Sequence, residues 1–246
     1  MALYGVLGDI HGNREALEAA LEKIDAIGVD RVVCVGDVIG YNADSDECAR
    51  ILQERDALCI AGNHDLIGTG KLGFERCSNK AMHSLKRTRA TLGAAASKWI
   101  RRLPMHLVLE GKVLLTHGGV RDVQQYMTRR AHFEENAGYL RRDFPGIRTC
   151  FYGHTHEQRI EEMDDGIRFI NPGSVDASRK RAAKVAQFAI FDSDALTVRF
   201  ASAAYDDEAS EAKSERHGYR IDRWRDRLYD FQRRIIGPRH VESGAP

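Results

Sequence analysis

Residues 2–62 alternate short apolar runs with helical patterns, and that order leaves few folds open. "ALYGVLG" (2–8) reads as a buried strand. "NREALEAALEKIDAIG" (13–28) sets Ala16, Leu17, Ala20, Leu21, Ile24 and Ile27 on one helical face and ends at Gly28. "RVVCVG" (31–36) is a second strand, "SDECARILQER" (45–55) a second helix, and "ALCIAG" (57–62) a third strand. A βαβαβ run demands a parallel sheet with helices packed on its faces.

Residues 66–103 are mostly helical in pattern. Strands resume at "HLVLE" (106–110) and "KVLLTHG" (112–118), a hairpin around Glu110 and Gly111. An Arg-rich helical segment follows at about 123–143, then "RTCFYGHTH" (148–156) and "GIRFINPGS" (166–174). Two alternating segments, 183–192 and 195–202, form an antiparallel pair joined at Ser193 and Asp194. The tail, 206–236, is helical, with Trp224, Leu228, Phe231 and Ile235 spaced as an apolar stripe. It is expected to pack that stripe on the domain and leave its charges in water. The pattern as a whole is two layered sheets with helices outside, in one domain spanning 1–246.

Composition removes several classes of function. The chain has 246 residues, 43% hydrophobic and 30% charged, with a formal net charge of +1. That balance gives no general pull toward nucleic acid or membrane. No apolar stretch approaches the roughly 20 residues of a membrane span. The N-terminus has no basic leader, and its apolar run meets Asp9 early, unlike a signal peptide. Five widely spaced cysteines with no Cys-x-x-Cys pair, of which Cys34 and Cys59 sit in apolar strand-like runs and read as core thiols, point to a reduced, cytoplasmic setting.

The chemistry stands at the strand ends. "GDIHGN" (8–13) carries Asp9 and His11, "GDVIGYN" (36–42) carries Asp37, and "GNHD" (62–65) carries Asn63, His64 and Asp65. Further on, "KVLLTHGG" ends at His117, and "GHTH" holds His154 and His156. In open α/β sheets the carboxyl ends of the strands meet at one crevice. Carboxylate, imidazole and amide oxygen together suit first-row divalent ions. Asp-x-His and His-x-His place two ligands on one side of an extended chain.

In this order the five blocks resemble the calcineurin-like metallophosphoesterases. "GDVIGY" followed by "DSDEC", and "HGGVRD" followed by Tyr126, resemble a bacterial subgroup that includes phosphodiesterases, phosphatases and dinucleoside polyphosphate hydrolases. The resemblance implies a four-layer α/β/β/α sandwich with a helical insert at about 66–103. It also implies two divalent ions, whether Mn, Fe, Ni, Co or Zn. Asp9, His11 and His156 would hold one; Asn63, His117 and His154 the other; Asp37 would bridge them. His64 would face the substrate as a proton donor, with Asp65 orienting its ring. The implied activity is hydrolysis of a small or nucleotide-like phosphate ester by a metal-bound hydroxide.

Other residues carry two readings each. Arg121 either grips a substrate phosphate or makes a surface salt bridge. Tyr41 either lines the pocket or packs. Asn171, in the "NPGS" turn, is expected to support a ligand histidine from behind. "SRKRAAK" (178–184) reads as a solvated loop. A Ser/Thr phosphoprotein phosphatase is an alternative, but "GDVIGYN" lacks the arginine of that branch's "GDxVDRG". A non-catalytic scaffold of the same fold is a second alternative, weakened because every ligand position is intact. A nuclease is suggested only by the basic tail. Sequence leaves oligomeric state, metal identity and the choice of mono- or diester open.

Overall fold

The computed structural model describes residues 2–176 and 184–236, the side chains of 232–236 excepted. Ten strands form two mixed five-stranded sheets. In the first, β1 (Leu3–Leu7) and β2 (Arg31–Cys34) run parallel, with short β3 (Leu58–Cys59) beside β2. In the second, β4 (Leu107–Leu109) pairs antiparallel with β5 (Val113–Leu115), and β6 (Thr149–Phe151) runs parallel to β5. Beyond β6 lie β8 (Arg168–Asn171), parallel to it, and the antiparallel edge strand β7 (Arg159–Glu162). The long pair β9 (Val185–Asp192) and β10 (Thr197–Ala204) closes the first sheet, β9 antiparallel to β1.

Period-two alternation sorts the strand side chains into layers. Val33, Val35, Val113, Leu115, Phe151 and Ile170 point between the sheets into a shared core with Val6 and Phe191. Val32 and Cys34 point outward against α1 (Arg14–Ile27) and α2 (Ser45–Glu54), whose Leu17, Ile24 and Leu52 are fully buried. Leu114, Cys150, Tyr152 and Phe169 point outward on the other side, under Phe133, Ala137 and Leu140 of a further helix, Arg130–Asp143. The result is the α/β/β/α sandwich.

Several expected elements have different bounds. "GNHD" does not sit in a strand-end loop: Asn63 opens α3 (Asn63–Gly68). The insert then comprises α4 (Asn79–Thr91) and α5 (Ala94–Ile100), with a loop at 69–78. The Arg-rich segment becomes helical only at Arg130, as α6, which frees 122–129 to reach the crevice. β7 is a charged edge strand, "RIEE", with no apolar alternation to announce it.

The tail breaks into α7 (Asp207–Arg216) and α8 (Arg223–Ile236), around Gly218 at φ 74°. Its packing corrects the expectation. Trp224 and Phe231 are 69% and 60% exposed. The helix docks instead through polar groups: the Asn79 amide donates to the carboxylates of Asp226 and Asp230, and Lys86 lies over the Tyr229 ring. Most of the basic segment, residues 178–183, lies outside the described residues. All five cysteines are free and buried, and no helix among the described residues is long and apolar enough to cross a membrane.

Candidate metal centre and its cavity

Four chain turns meet where the two sheets present their carboxyl ends. The loops after β1 and β2 are laced together: Asp9 N–H donates to Gly36 O at 3.0 Å and His11 N–H to Asp37 O at 2.9 Å. After β5 and β6, Gly153 N–H donates to His117 O at 2.7 Å. Bonds that cross between sheets here include His154 N–H to Asp9 Oδ2 at 3.0 Å and His117 Nδ1 to Val35 O at 2.8 Å.

Turning the side chains inward strains the backbone. Asp9, His11, Asp37, His154 and His156 all have φ between 53° and 67°. They are five of the eight non-glycine residues with positive φ among the described residues. Each such position costs of order 1–3 kcal/mol and persists only where its surroundings enforce it. Gly62 lets the turns approach closely, since a Cβ there would lie 2.1 Å from Asp37 Oδ1. Gly36, at φ 97°, could carry no Cβ either, because Gly62 N would stand 2.6 Å from it.

The potential ligand atoms fall into sets whose members lie within 4.8 Å of one another: Asp9, His11 and His156; Asp37, His117 and His154; and His11, Asp37 and His64. All are buried. His156 Nε2 is 3.6 Å from Asp9 Oδ1 and 3.0 Å from His11 Nε2. Asn63 Oδ1 is 3.0 Å from His117 Nε2, and Asp37 Oδ2 is 3.3 Å from the same nitrogen.

These contacts fit cations better than they fit one another. His117 Nδ1 must carry a proton, because the Val35 carbonyl can only accept. In the neutral ring, Nε2 is then a lone pair aimed at two oxygens. Burial disfavours the His117 imidazolium, yet the Asp37 and Asp9 charges lift it to about 9. Burial would raise the Asp37 carboxyl, but His117, His64 and His11 outweigh it and hold it well below the usual range. A divalent cation would replace that compensating proton. His154 Nε2 and His11 Nδ1 are buried with no hydrogen-bond partner among the described residues. Burial, foremost, depresses both imidazoles and leaves them neutral ligands. The donor set fits divalent ions.

The remaining expected site residues separate. Asp65 does not orient the His64 ring. Its carboxylate accepts the backbone N–H groups of Asp37 (2.8 Å), Gly62 (2.9 Å) and Ile39 (3.2 Å), which pins the Asp37 turn to the start of α3. His64 donates its own N–H to Asp37 Oδ1 at 2.7 Å, and its ring lines the cavity. It shares a set of potential ligand atoms with His11 and Asp37, a place among them that the sequence did not suggest. Asn171 bonds no imidazole; it donates to Gly153 O and Thr155 Oγ1, bracing the backbone around His154 and His156. Arg121 is bidentate with Asp143 and lies over Tyr139, away from the cavity lining. Tyr41 does line the cavity, its ring centroid 4.7 Å from those of both His11 and His64.

That cavity encloses about 620 Å³, ample for a small organic ligand. One wall is the metal side, with Asp37, Asn63, His64, His154 and His156. Further lining residues come from the insert and the 122–129 loop: Arg76, Ser78, Lys80, Gln124 and Tyr126. The Tyr126 ring packs against that of His154, centroids 4.0 Å apart and tilted by 37°. Sequence reasoning overlooked Arg76, Lys80 and Asp176 because they belong to no block. Asp176 accepts from the amides of Asn13 and Asn42, and those two asparagines in "GDIHGN" and "GYN" were the available signal.

Comparison with known proteins agrees with this architecture. Residues 2–195 match the family model of the calcineurin-like phosphoesterase superfamily domain, and the chain belongs to that family. It is thus a metallophosphoesterase, a phosphoric ester hydrolase. The chain is 26% identical over 224 residues to an uncharacterized protein of Methanocaldococcus jannaschii, covering 83% of this chain and 88% of that protein. It is 30% identical over 172 residues to a symmetrical bis(5'-nucleosyl)-tetraphosphatase of Cellvibrio japonicus, covering 68% of this chain and 62% of that one. A solved metallophosphoesterase of Sphaerobacter thermophilus superposes with a TM-score of 0.69 at 25% identity, covering 92% of this chain and 97% of that one.

Proposed function

We propose that the chain hydrolyses a small, nucleotide-like phosphate ester at a centre of two divalent metal ions. The observation that carries this reading is the division of the buried ligand atoms into Asp9–His11–His156 and Asp37–His117–His154, with Asn63 beside the second set. Asp37 also joins the set containing His11, which suits it to bridge. Divalent ions bound there would polarise the phosphoryl group and supply an activated water.

The protein's own groups do the rest. The positive-φ turns hold the ligands before any ion arrives, so little reorganisation accompanies binding. His64, which lines the cavity, would give a proton to the departing oxygen. Asp65 serves indirectly, by fixing the Asp37 turn and α3 together. Tyr41 and Tyr126 flank the imidazoles and narrow the approach of water. A cavity of about 620 Å³ is larger than a lone phosphate needs, which favours a substrate with an organic portion. The relative named a bis(5'-nucleosyl)-tetraphosphatase supports a nucleotide as that portion. Five free cysteines fit a reducing, cytoplasmic setting.

The test is a substrate panel with Mn²⁺, Fe²⁺, Co²⁺, Ni²⁺ or Zn²⁺ restored singly to chelated protein. The panel holds p-nitrophenyl phosphate, its bis-ester, mononucleotides and diadenosine tetraphosphate. Metal-dependent cleavage of at least one ester is expected. Cleavage that survives chelation, or none with any metal, would overturn the reading.

A further inference from the structure

The cavity that the candidate metal ligands line also carries two cationic side chains, Arg76 and Lys80, and they are not equivalent. Arg76 is committed: its guanidinium binds both Asp122 oxygens at 2.8–2.9 Å and the Gln124 carbonyl at 2.9 Å. It is a strut for the 122–129 loop. Lys80 has no hydrogen bond or ion pair among the described residues. It is the second residue of α4, where a positive charge opposes the helix dipole. Helix stability therefore does not account for a lysine there. The metal side of the same cavity shows the unpartnered, buried Nε2 of His154.

Lys80 also stands at a junction. Together with Tyr41 and Asp176 it lines both this cavity and a neighbouring depression of about 380 Å³. The second depression is built largely from the C-terminal segment, with Glu211, Glu215, Tyr219 and Arg220. Arg220 is saturated there, bidentate with Glu211 and donating to Tyr41 O and Asn42 Oδ1. Among the described residues that lobe carries three carboxylates, Asp176, Glu211 and Glu215, against Lys80 and the occupied Arg220 guanidinium, a balance that does not favour an anion beyond Lys80.

We infer that Lys80 binds a second phosphate of an extended substrate, the one next to the phosphoryl group held by the metal ligands, with an uncharged polar group such as a nucleoside lying beyond it. The substrate class is then a nucleoside di- or polyphosphate rather than a monophosphate. Carboxylates outnumber cations among the described residues of the far lobe, which suits an uncharged group there better than a further phosphate. This rests on the metal–phosphate reading above.

The experiment is titration calorimetry on Mn²⁺-loaded protein with two non-hydrolysable ligands, the methylene analogue of ADP and the phosphonate analogue of AMP. The readout is binding, so it needs no turnover. Wild-type protein should prefer the two-phosphate ligand by about tenfold or more, as expected for a charge-assisted contact. Lys80→Met should collapse that preference and Lys80→Arg should retain it. Lys98→Met, which removes the same charge from α5 outside the cavity lining, should leave it intact. Equal affinity for both ligands in wild type, or a preference that survives Lys80→Met, would overturn the assignment to Lys80 alone. If neither ligand binds, the metal–phosphate reading falls with it.

Discussion

At the scale of single residues, the neighbours His64 and Asp65 separate chemistry from architecture. His64 lines the cavity, whereas Asp65 is fully buried with its carboxylate spent on three backbone N–H groups. His64→Ala should therefore keep its metal content and lose about 10²–10⁴ in kcat. Metal analysis beside steady-state kinetics checks this, and an unaltered kcat would remove the proton-donor role. Asp65→Asn should behave differently, because an amide NH₂ would face backbone donors. A loss of about 1–3 kcal/mol in unfolding free energy is expected, read by urea denaturation. A stability unchanged from wild type would show that the Asp37 turn does not depend on this carboxylate. The candidate ligand residues were legible in the sequence because each stands directly beside a glycine or two residues after another candidate. The job of Asp65 was not legible: adjacency suggested the neighbouring ring, whereas α3 turns its carboxylate back toward Asp37 and Ile39. Arg121 took the second of its two readings, the surface salt bridge, and sequence could not choose between them because its partner Asp143 is 22 residues distant and is brought near only by folding.

At the scale of elements, the site is only as stiff as the strands beneath it. β6 delivers His154 and His156, and its outer face rests on an aromatic cluster. The Phe133 ring lies 5.9 Å from Tyr152 and 5.6 Å from Phe169, all three fully buried. Phe133→Ala should cost about 3–5 kcal/mol in denaturant unfolding, as for large-to-small changes in a closed core. A cost under about 1 kcal/mol would mean that α6 does not support the sheet as described. Elements with strong period-two or helical patterning were legible with bounds close to those observed. β7 was not, because an edge strand exposes one side and can be written in charged residues. The apolar stripe of the tail misled in the opposite sense. Hydrophobic spacing states that a helix is amphipathic but not which face finds a partner. Here Asn79 and Lys86 recruit the face bearing Asp226, Tyr229 and Asp230.

At the scale of the whole molecule, the candidate ligands come from both sheets. Asp9 and Asp37 follow strands of the first sheet, while His117 and the pair His154 and His156 follow strands of the second. Cations bound among them would stitch the sheets together at one end of the shared core. Binding to the folded state alone adds RT ln(1 + [L]/Kd), about 4 kcal/mol at a thousandfold excess over Kd. The convergence was legible because strand ends in α/β sheets meet by topology. The opposing wall was not, because the insert and the C-terminal segment carry no spacing rule that announces which residues face inward.

The most direct measurement is the divalent metal content of the purified, metal-reconstituted protein by plasma mass spectrometry, compared between wild type and Asp37→Ala. About two ions per chain are predicted for wild type, with loss of at least one in Asp37→Ala and a lower melting temperature in both after chelation. A wild-type protein that retains no divalent ion, or an Asp37→Ala variant that keeps the full complement, would contradict the account.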